Sequence, residues 1–388
     1  MGIVDCGITT QRWKGLETTN VIDIPQFRHG GNLYAFARAR GVRPEDVLDF
    51  SASINPLGWP RGVRGAYRQA LSQAVHYPEP YAEPLIAALA QYHGLDPRSF
   101  VIGNGSTQLI YLFARVFMPR RVLIVSPTFS EHESAFHLAG ARVSRFILRS
   151  PTFTLPMEQL RRKLAEGYDT LIVTNPNSPT GALVPYTAMQ AIVQLCRRLG
   201  VRLLVDETFI DWVEDASLKD LVLHQPHLIV LRSLTKFFAI PGLRVGYVIA
   251  HPRNTQRLRK QLEPWSVNTI AQAVATACVT DSQFIHRSRL FMLRERQWFE
   301  QQLQTIPSIE TFPSSANFFL VKIKKRGLTA ADVAQQLAAS NILIRDCSNF
   351  AGLGKQFFRV AVRRRAESAR LLAVLQGLLG NKILLGKP

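Results

Sequence analysis

Ser233-Leu-Thr-Lys236-Phe-Phe-Ala-Ile-Pro-Gly-Leu-Arg244-Val-Gly246-Tyr247 is the stretch on which the reading of this chain turns. It follows a short apolar run, Leu228-Ile-Val-Leu-Arg232, and so puts a lysine just past the end of a predicted strand. The lysine is preceded by a hydroxyl at Ser233 and followed by a guanidinium at Arg244. Together these groups suit a ligand bearing both an aldehyde and a phosphate. Lys236 can form a Schiff base with the aldehyde, while Ser233 and Arg244 hold the phosphate dianion. Gly242 and Gly246 are expected to let the backbone bend closely around it. Pyridoxal phosphate is such a cofactor.

Working outward, the same strand-then-polar-residue pattern recurs. Phe100-Val-Ile-Gly103 runs into Asn104, Gly105, Ser106 and Thr107 and then a helical pattern to Phe117. Backbone N–H groups at that turn can cradle a phosphate. Arg121-Val-Leu-Ile-Val-Ser126 leads to Phe129, Thr170-Leu-Ile-Val-Thr174 leads to Asn177, and Val201-Arg-Leu-Leu-Val205 leads to Asp206. Short β-branched runs alternating with helices predict a mostly parallel sheet covered on both faces. In such α/β sheets ligands bind beyond the carboxyl ends of the strands, where these residues fall. Asp206 is expected to pair with the cofactor's ring nitrogen and Asn177 to donate to its phenolic oxygen. Phe129 is expected to stack on the ring. Taken singly, Asp206 reads equally as a helix cap, Asn177 as a turn residue and Phe129 as a core aromatic; their order along the chain favours a site.

At 388 residues the chain is long enough for about two domains. Residues 1–26 read as an extension, 27–75 with 284–388 as a small α+β domain, and 76–283 as the large cofactor-binding domain. No apolar stretch approaches the ~18–20 residues of a membrane span. No secretory leader is apparent, and Cys6, Cys196, Cys278 and Cys347 form no CxxC pair. A cytoplasmic location without membrane association is expected. The net charge of +19 is spread over separate clusters such as Arg161-Arg162-Lys163 and Arg363-Arg364-Arg365. None forms a tail or reading helix, so nucleic acid is not expected as a partner. Glu131-His132-Glu133 and His137 resemble a metal motif, but the two histidines miss the i, i+4 zinc spacing and no metal is expected.

With these residues in place, the chain resembles fold-type I pyridoxal-phosphate enzymes of aminotransferase class I/II. Within them, His29-Gly-Gly-Asn32, Leu48-Asp-Phe-Ser-Ala-Ser-Ile-Asn-Pro-Leu-Gly58, Pro264-Trp-Ser-Val-Asn268 and Ile342-Leu-Ile-Arg345 are similar to the L-threonine-O-3-phosphate decarboxylases of cobalamin synthesis. The resemblance covers roughly residues 29–379. It implies a homodimer, a phosphorylated amino-acid substrate, and decarboxylation to (R)-1-amino-2-propanol O-2-phosphate and carbon dioxide. A histidinol-phosphate-type aminotransferase is the alternative. It further implies that Tyr77 reaches a neighbouring subunit's cofactor phosphate, and that His29, Gly30, Gly31, Asn32, Asn55, Arg345 and Arg359 bind substrate. Which arginine takes which anion stays open at this level. Two departures stand out. Phe209 occupies a position where many aminotransferases have tyrosine, which favours the decarboxylase branch. Ser53 replaces an asparagine common in that branch.

Overall fold

The computed structural model describes residues 29–379. The extension expected at 1–26 lies outside these residues, as do 27–28 and 380–388 of the expected small domain.

In chain order the strands are β1 (Leu48–Asp49), β2 (Phe100–Gly103), β3 (Arg121–Ser126), β4 (Arg142–Ile147), β5 (Thr170–Thr174), β6 (Arg202–Asp206), β7 (Leu228–Ser233) and β8 (Gly246–Ala250). They continue with β9 (Ile309–Thr311), β10 (Phe318–Ile323), β11 (Ile342–Leu343), β12 (Arg345–Asp346) and β13 (Phe357–Ala361). The helices begin with α1 (Leu33–Arg40), α2 (Val63–Gln73), α3 (Glu83–His93), α4 (Gly105–Phe117), α5 (Ser130–Leu138) and α6 (Met157–Leu164). Then come α7 (Tyr186–Leu199), α8 (Pro252–Arg259), α9 (Thr269–Val279), α10 (Ser282–Gln304), α11 (Ala330–Ala338) and α12 (Arg365–Leu379).

The main sheet has the order β2-β8-β7-β6-β5-β3-β4. Every pairing is parallel except those of β8, which runs antiparallel to β2 and β7. Buried strands read as continuous apolar runs because both faces are covered. Thus Leu203 and Val205 of β6 join one core, while Leu204 between them joins the core on the other face. Two strands of this sheet were not anticipated from sequence. β4 is the edge strand and half exposed, so Arg142 and Arg145 interrupt its apolar pattern. β8 begins at Gly246, inside the stretch read as a ligand loop.

The C-terminal part carries an antiparallel sheet, β12-β13-β10-β9. Strand β1 pairs in parallel with β11, matching Leu48 to Ile342 and Asp49 to Leu343. The Ala361 N–H also donates to the Phe50 carbonyl. Residues near the start of the described chain are therefore stitched to those near its end, and the segment between Asp49 and Leu57 is carried to the mouth of the large sheet.

Candidate active site

The stretch from Ser233 to Tyr247 forms a turn whose two ends are paired strands, with Ser233 opposite Gly246. Gly246 in turn lies opposite Gly103, the last residue of β2. This cross-strand arrangement carries Ser233, Arg244 and the start of α4 to one point. A Cβ on Gly246 would sit 2.5 Å from the Ser106 nitrogen, and one on Gly105 would sit 2.5 Å from Arg244 Nη2. Gly105 also has φ of 78°, a left-handed conformation that favours glycine. Gly242 is different: a Cβ there would meet nothing within 4 Å, so the close approach expected of it belongs to Gly246 and Gly105.

Helix α4 has no side-chain cap from Asn104. Its first N–H groups, at Ser106 and Thr107, therefore face the Arg244 side of the turn with the dipole's positive end, as an anion requires. Ser233 Oγ lies 2.8 Å from Thr235 Oγ1, so a second hydroxyl stands beside the first. This cradle fits the phosphate of pyridoxal phosphate. Arg244 is itself exposed and held by the Pro241 carbonyl at 3.2 Å.

Lys236 is fixed through its backbone, whose carbonyl accepts from the Asn55 N–H at 3.0 Å. Burial first, then the Arg359 and Arg244 guanidiniums, pull the Lys236 amine down to about 8. A lysine so placed sheds its proton far more readily than one in water, which suits it to attack an aldehyde.

Asp206, at the end of β6, is buried. Its Oδ1 accepts from the Thr208 N–H and hydroxyl, and its Oδ2 lies 3.0 Å from His132 Nε2. A carboxylate only accepts, so His132 is the donor. His132 is fully buried and its Nδ1 has no partner. Sequence reasoning dismissed His132 as part of a failed metal motif. Nothing local could have shown its partner, which lies 74 residues away. Among the described residues no cluster of three or more His, Cys, Asp or Glu is placed to hold a metal.

Asn177 donates one amide hydrogen to the Pro127 carbonyl at 3.0 Å, and its Oδ1 accepts from Thr180 Oγ1 at 3.1 Å. An amide nitrogen has two hydrogens, so one remains for a ligand oxygen. Phe129 lines a cavity of about 570 Å³ together with His29, Thr128, Arg345 and Asn349. Phe209 is buried with its ring edge-on to Phe318 at 5.0 Å.

Arg345 and Arg359 are direct cross-strand partners on β12 and β13. Arg359 donates to Ser178 Oγ at 2.8 Å and to the Ser51 carbonyl at 3.1 Å, over the Phe318 ring. Its Nε has no partner, and among the described residues no carboxylate forms an ion pair with it. Burial lowers it to about 10. Arg345 Nη2 donates to Asn349 Oδ1 at 2.9 Å and its guanidinium lies over the Phe350 ring. The Gly31 N–H donates to Ser51 Oγ at 2.8 Å, which seats the glycine turn against the segment that holds Arg359.

Four residues sit less simply. The Asn55 side chain is spent on the Phe237 carbonyl and Ser288 Oγ, and Leu57 N–H donates to its Oδ1. In this structure it therefore shapes the lysine loop from behind. Asn32 is exposed and precedes α1. Tyr77 is 80% exposed, and its ring neighbour is Trp265 at 4.8 Å. Ser53 is buried with an unpartnered hydroxyl.

Residues 45–375 match the family model of aminotransferase class I and II. The threonine-phosphate decarboxylase of Salmonella typhimurium is 36% identical over 357 residues, spanning 90% of this chain and 96% of the relative. Among solved structures, the histidinol-phosphate aminotransferase from Clostridium acetobutylicum superposes with a TM-score of 0.80 at 28% identity, over 86% of this chain and 99% of that one. The L-threonine-O-3-phosphate decarboxylase from Porphyromonas gingivalis superposes with a TM-score of 0.77 at 26% identity, over 86% and 100%.

Proposed function

The chain belongs to the aminotransferase class I and II family, and from that premise we propose that it is a pyridoxal-phosphate-dependent decarboxylase. It converts L-threonine O-3-phosphate to (R)-1-amino-2-propanol O-2-phosphate and carbon dioxide, a step of cobalamin synthesis. The observation that carries this reading is the Arg345–Arg359 pair. Like charges directly opposite across a sheet are destabilising. Two guanidiniums paired across the sheet, Arg359 close enough to Lys236 to depress its amine, call for a substrate with two anionic groups, and threonine phosphate has a carboxylate and a phosphate.

When bound, pyridoxal phosphate supplies the electron sink that receives the pair left as a bond to the α-carbon breaks. The chain's own residues do the rest. Ser106, Thr107, Ser233 and Arg244 would hold the cofactor phosphate. Asp206, oriented by His132 and Thr208, would accept from the ring nitrogen and keep its proton there. Asn177 would donate to the phenolic oxygen, and Phe129 would cover the ring. Arg359 and Arg345 would hold the two substrate anions and so fix which α-carbon bond stands ready to break. Once carbon dioxide leaves, the α-carbon needs one proton, and Lys236 Nζ delivers it.

No helix among the described residues is long and apolar enough to cross a membrane, and a cytoplasmic location belongs to the same reading. A homodimer does too. Tyr67, Leu71, Val75, Tyr77, Tyr81 and Trp265 are all exposed on or near α2, a run of apolar surface that a second copy would cover.

The test is to supply the loaded protein with threonine phosphate and measure carbon dioxide, and separately with histidinol phosphate plus 2-oxoglutarate and measure glutamate. Carbon dioxide without glutamate is expected; glutamate without carbon dioxide would overturn the decarboxylase reading. The visible absorption band of the loaded protein should disappear in Lys236→Ala.

A further inference from the structure

Helix α1 fully buries only Ala37; Leu33, Ala35 and Phe36 are half-buried and the other residues are exposed. Such partial packing leaves much of the task of holding the His29–Asn32 turn, beside the cavity that His29 lines with Phe129 and Arg345, to other contacts. Polar anchors at two points add to that packing. At one, Gly31 N–H donates to Ser51 Oγ, and Gly30 lies so close to the Ser51 carbonyl that a side chain there would collide with it. At the other, His29 Nε2 meets Glu131 Oε1 at 3.0 Å. The second Glu131 oxygen accepts from the Tyr111 hydroxyl at 2.8 Å. Glu131 thus joins α5, α4 and the turn in one chain of bonds, while the His29 ring leans on Phe129 with centroids 5.3 Å apart.

We propose that Glu131 is a positioning residue for the substrate, anchoring His29 and its glycine turn over the Arg345 side of the cavity. This inference rests on the decarboxylase reading given above. A carboxylate accepts at both oxygens, so Glu131 can take the His29 and Tyr111 protons together. The bond fixes the ring's orientation and makes Nε2 the protonated nitrogen. Burial, then the bond to Glu131, raises the Tyr111 hydroxyl, which keeps it a donor. An amide at position 131 would put an N–H against one of these donors and release that side. Because Glu131 touches neither Lys236 nor Asp206, the chemical step should proceed normally once substrate is seated.

The experiment compares holoenzyme of wild type, Glu131→Gln, Tyr111→Phe and His29→Ala by carbon dioxide release. Losing the anchor of a substrate-facing hydrogen bond should raise KM for threonine phosphate about tenfold in Glu131→Gln, with kcat within about twofold of wild type. Tyr111→Phe, which keeps the carboxylate, should show a smaller rise in the same direction. Adding Glu131→Gln to His29→Ala should raise KM no further, because the two act as one unit. Unchanged cofactor absorption and thermal midpoint in the variants show that the fold and the loaded site persist. An unmoved KM in Glu131→Gln, a matching fall in kcat, or a full additional loss in the double variant overturns the proposal. Wild type that releases no carbon dioxide removes the functional reading instead, and with it this inference.

Discussion

Arg232 and Arg359 are both buried guanidiniums on interior strands, and their surroundings are opposite. Arg232 on β7 is ringed by carboxylates: Glu207 at 3.1 Å, Asp211 at 3.3 Å and Glu214 at 2.6 Å, with Ser217 Oγ at 3.2 Å. Arg359 on β13 has a serine hydroxyl, a backbone carbonyl and an aromatic face. A buried cation closed by its own protein is an element of the fold. One supplied with neutral acceptors keeps its charge for a ligand. Arg232 also directly precedes Ser233, and strand alternation sends the arginine to the ion network and the serine to the proposed cofactor end.

The sharpest way to break this comparison is to remove each charge. Arg232→Leu leaves Glu207 and Asp211 buried without their cation, and Glu214 with only Lys219 and Arg289 beside it, and should cost about 3–5 kcal/mol of stability, measured by urea unfolding. Arg359→Leu leaves no stranded carboxylate and should unfold near the wild-type midpoint. If it unfolded as readily as Arg232→Leu, Arg359 would be a structural cation and the contrast would vanish.

The next effect is kinetic. Losing a charge-assisted pair to a substrate anion should lower kcat/KM by about a hundredfold in Arg359→Leu. Carbon dioxide release at several substrate concentrations checks this.

A smaller effect reaches Lys236. Its amine is held at about 8 by burial first and Arg359 next. Reloading of the stripped protein with pyridoxal phosphate needs the neutral amine, so its rate should climb with pH through about 8. Arg359→Leu removes a neighbouring positive charge, which favours the ammonium and moves that midpoint upward. Stopped-flow absorbance across pH reads the shift, and an unmoved midpoint would show that burial alone sets it.

The smallest effect lies in the other network. Burial first raises the Asp211 carboxyl to about 6 from an ordinary 3.8, with Glu214 adding to the rise and Arg232 opposing it. A raised carboxyl binds its proton more tightly when folded. Its contribution is therefore fully present below about 3.8 and is lost as pH rises through about 6. The stability difference between wild type and Asp211→Asn should change across that window and be flat above it, as followed by unfolding at stepped pH.

Much of the proposed cofactor end was legible as a candidate because each contributor follows its own strand. Lys236, Asp206, Asn177 and the Gly105 turn could be ranked by position along the chain alone. Legibility ended where a contact joins distant segments of similar local character. His132 and His137 look alike in sequence, yet His132 is buried against Asp206 while His137 stands on the surface beside Glu133. Asn55 looked like a substrate residue from its motif, and its amide proved to be occupied by the lysine loop and α10. Ser178, which holds Arg359, sits in a Pro-rich turn that carries no sign of its partner 181 residues later.

What the amino-acid sequence determined by itself was the alternation of strand and helix, the lysine with its hydroxyl and guanidinium, and the order of polar strand ends. Those follow from local periodicity and spacing, which short-range geometry dictates. Only the tertiary structure decided that Arg345 stands opposite Arg359, that Arg232 is closed while Arg359 is not, and that Glu131 reaches His29. Each depends on strand register and on packing between segments far apart in the chain, which no window of sequence contains.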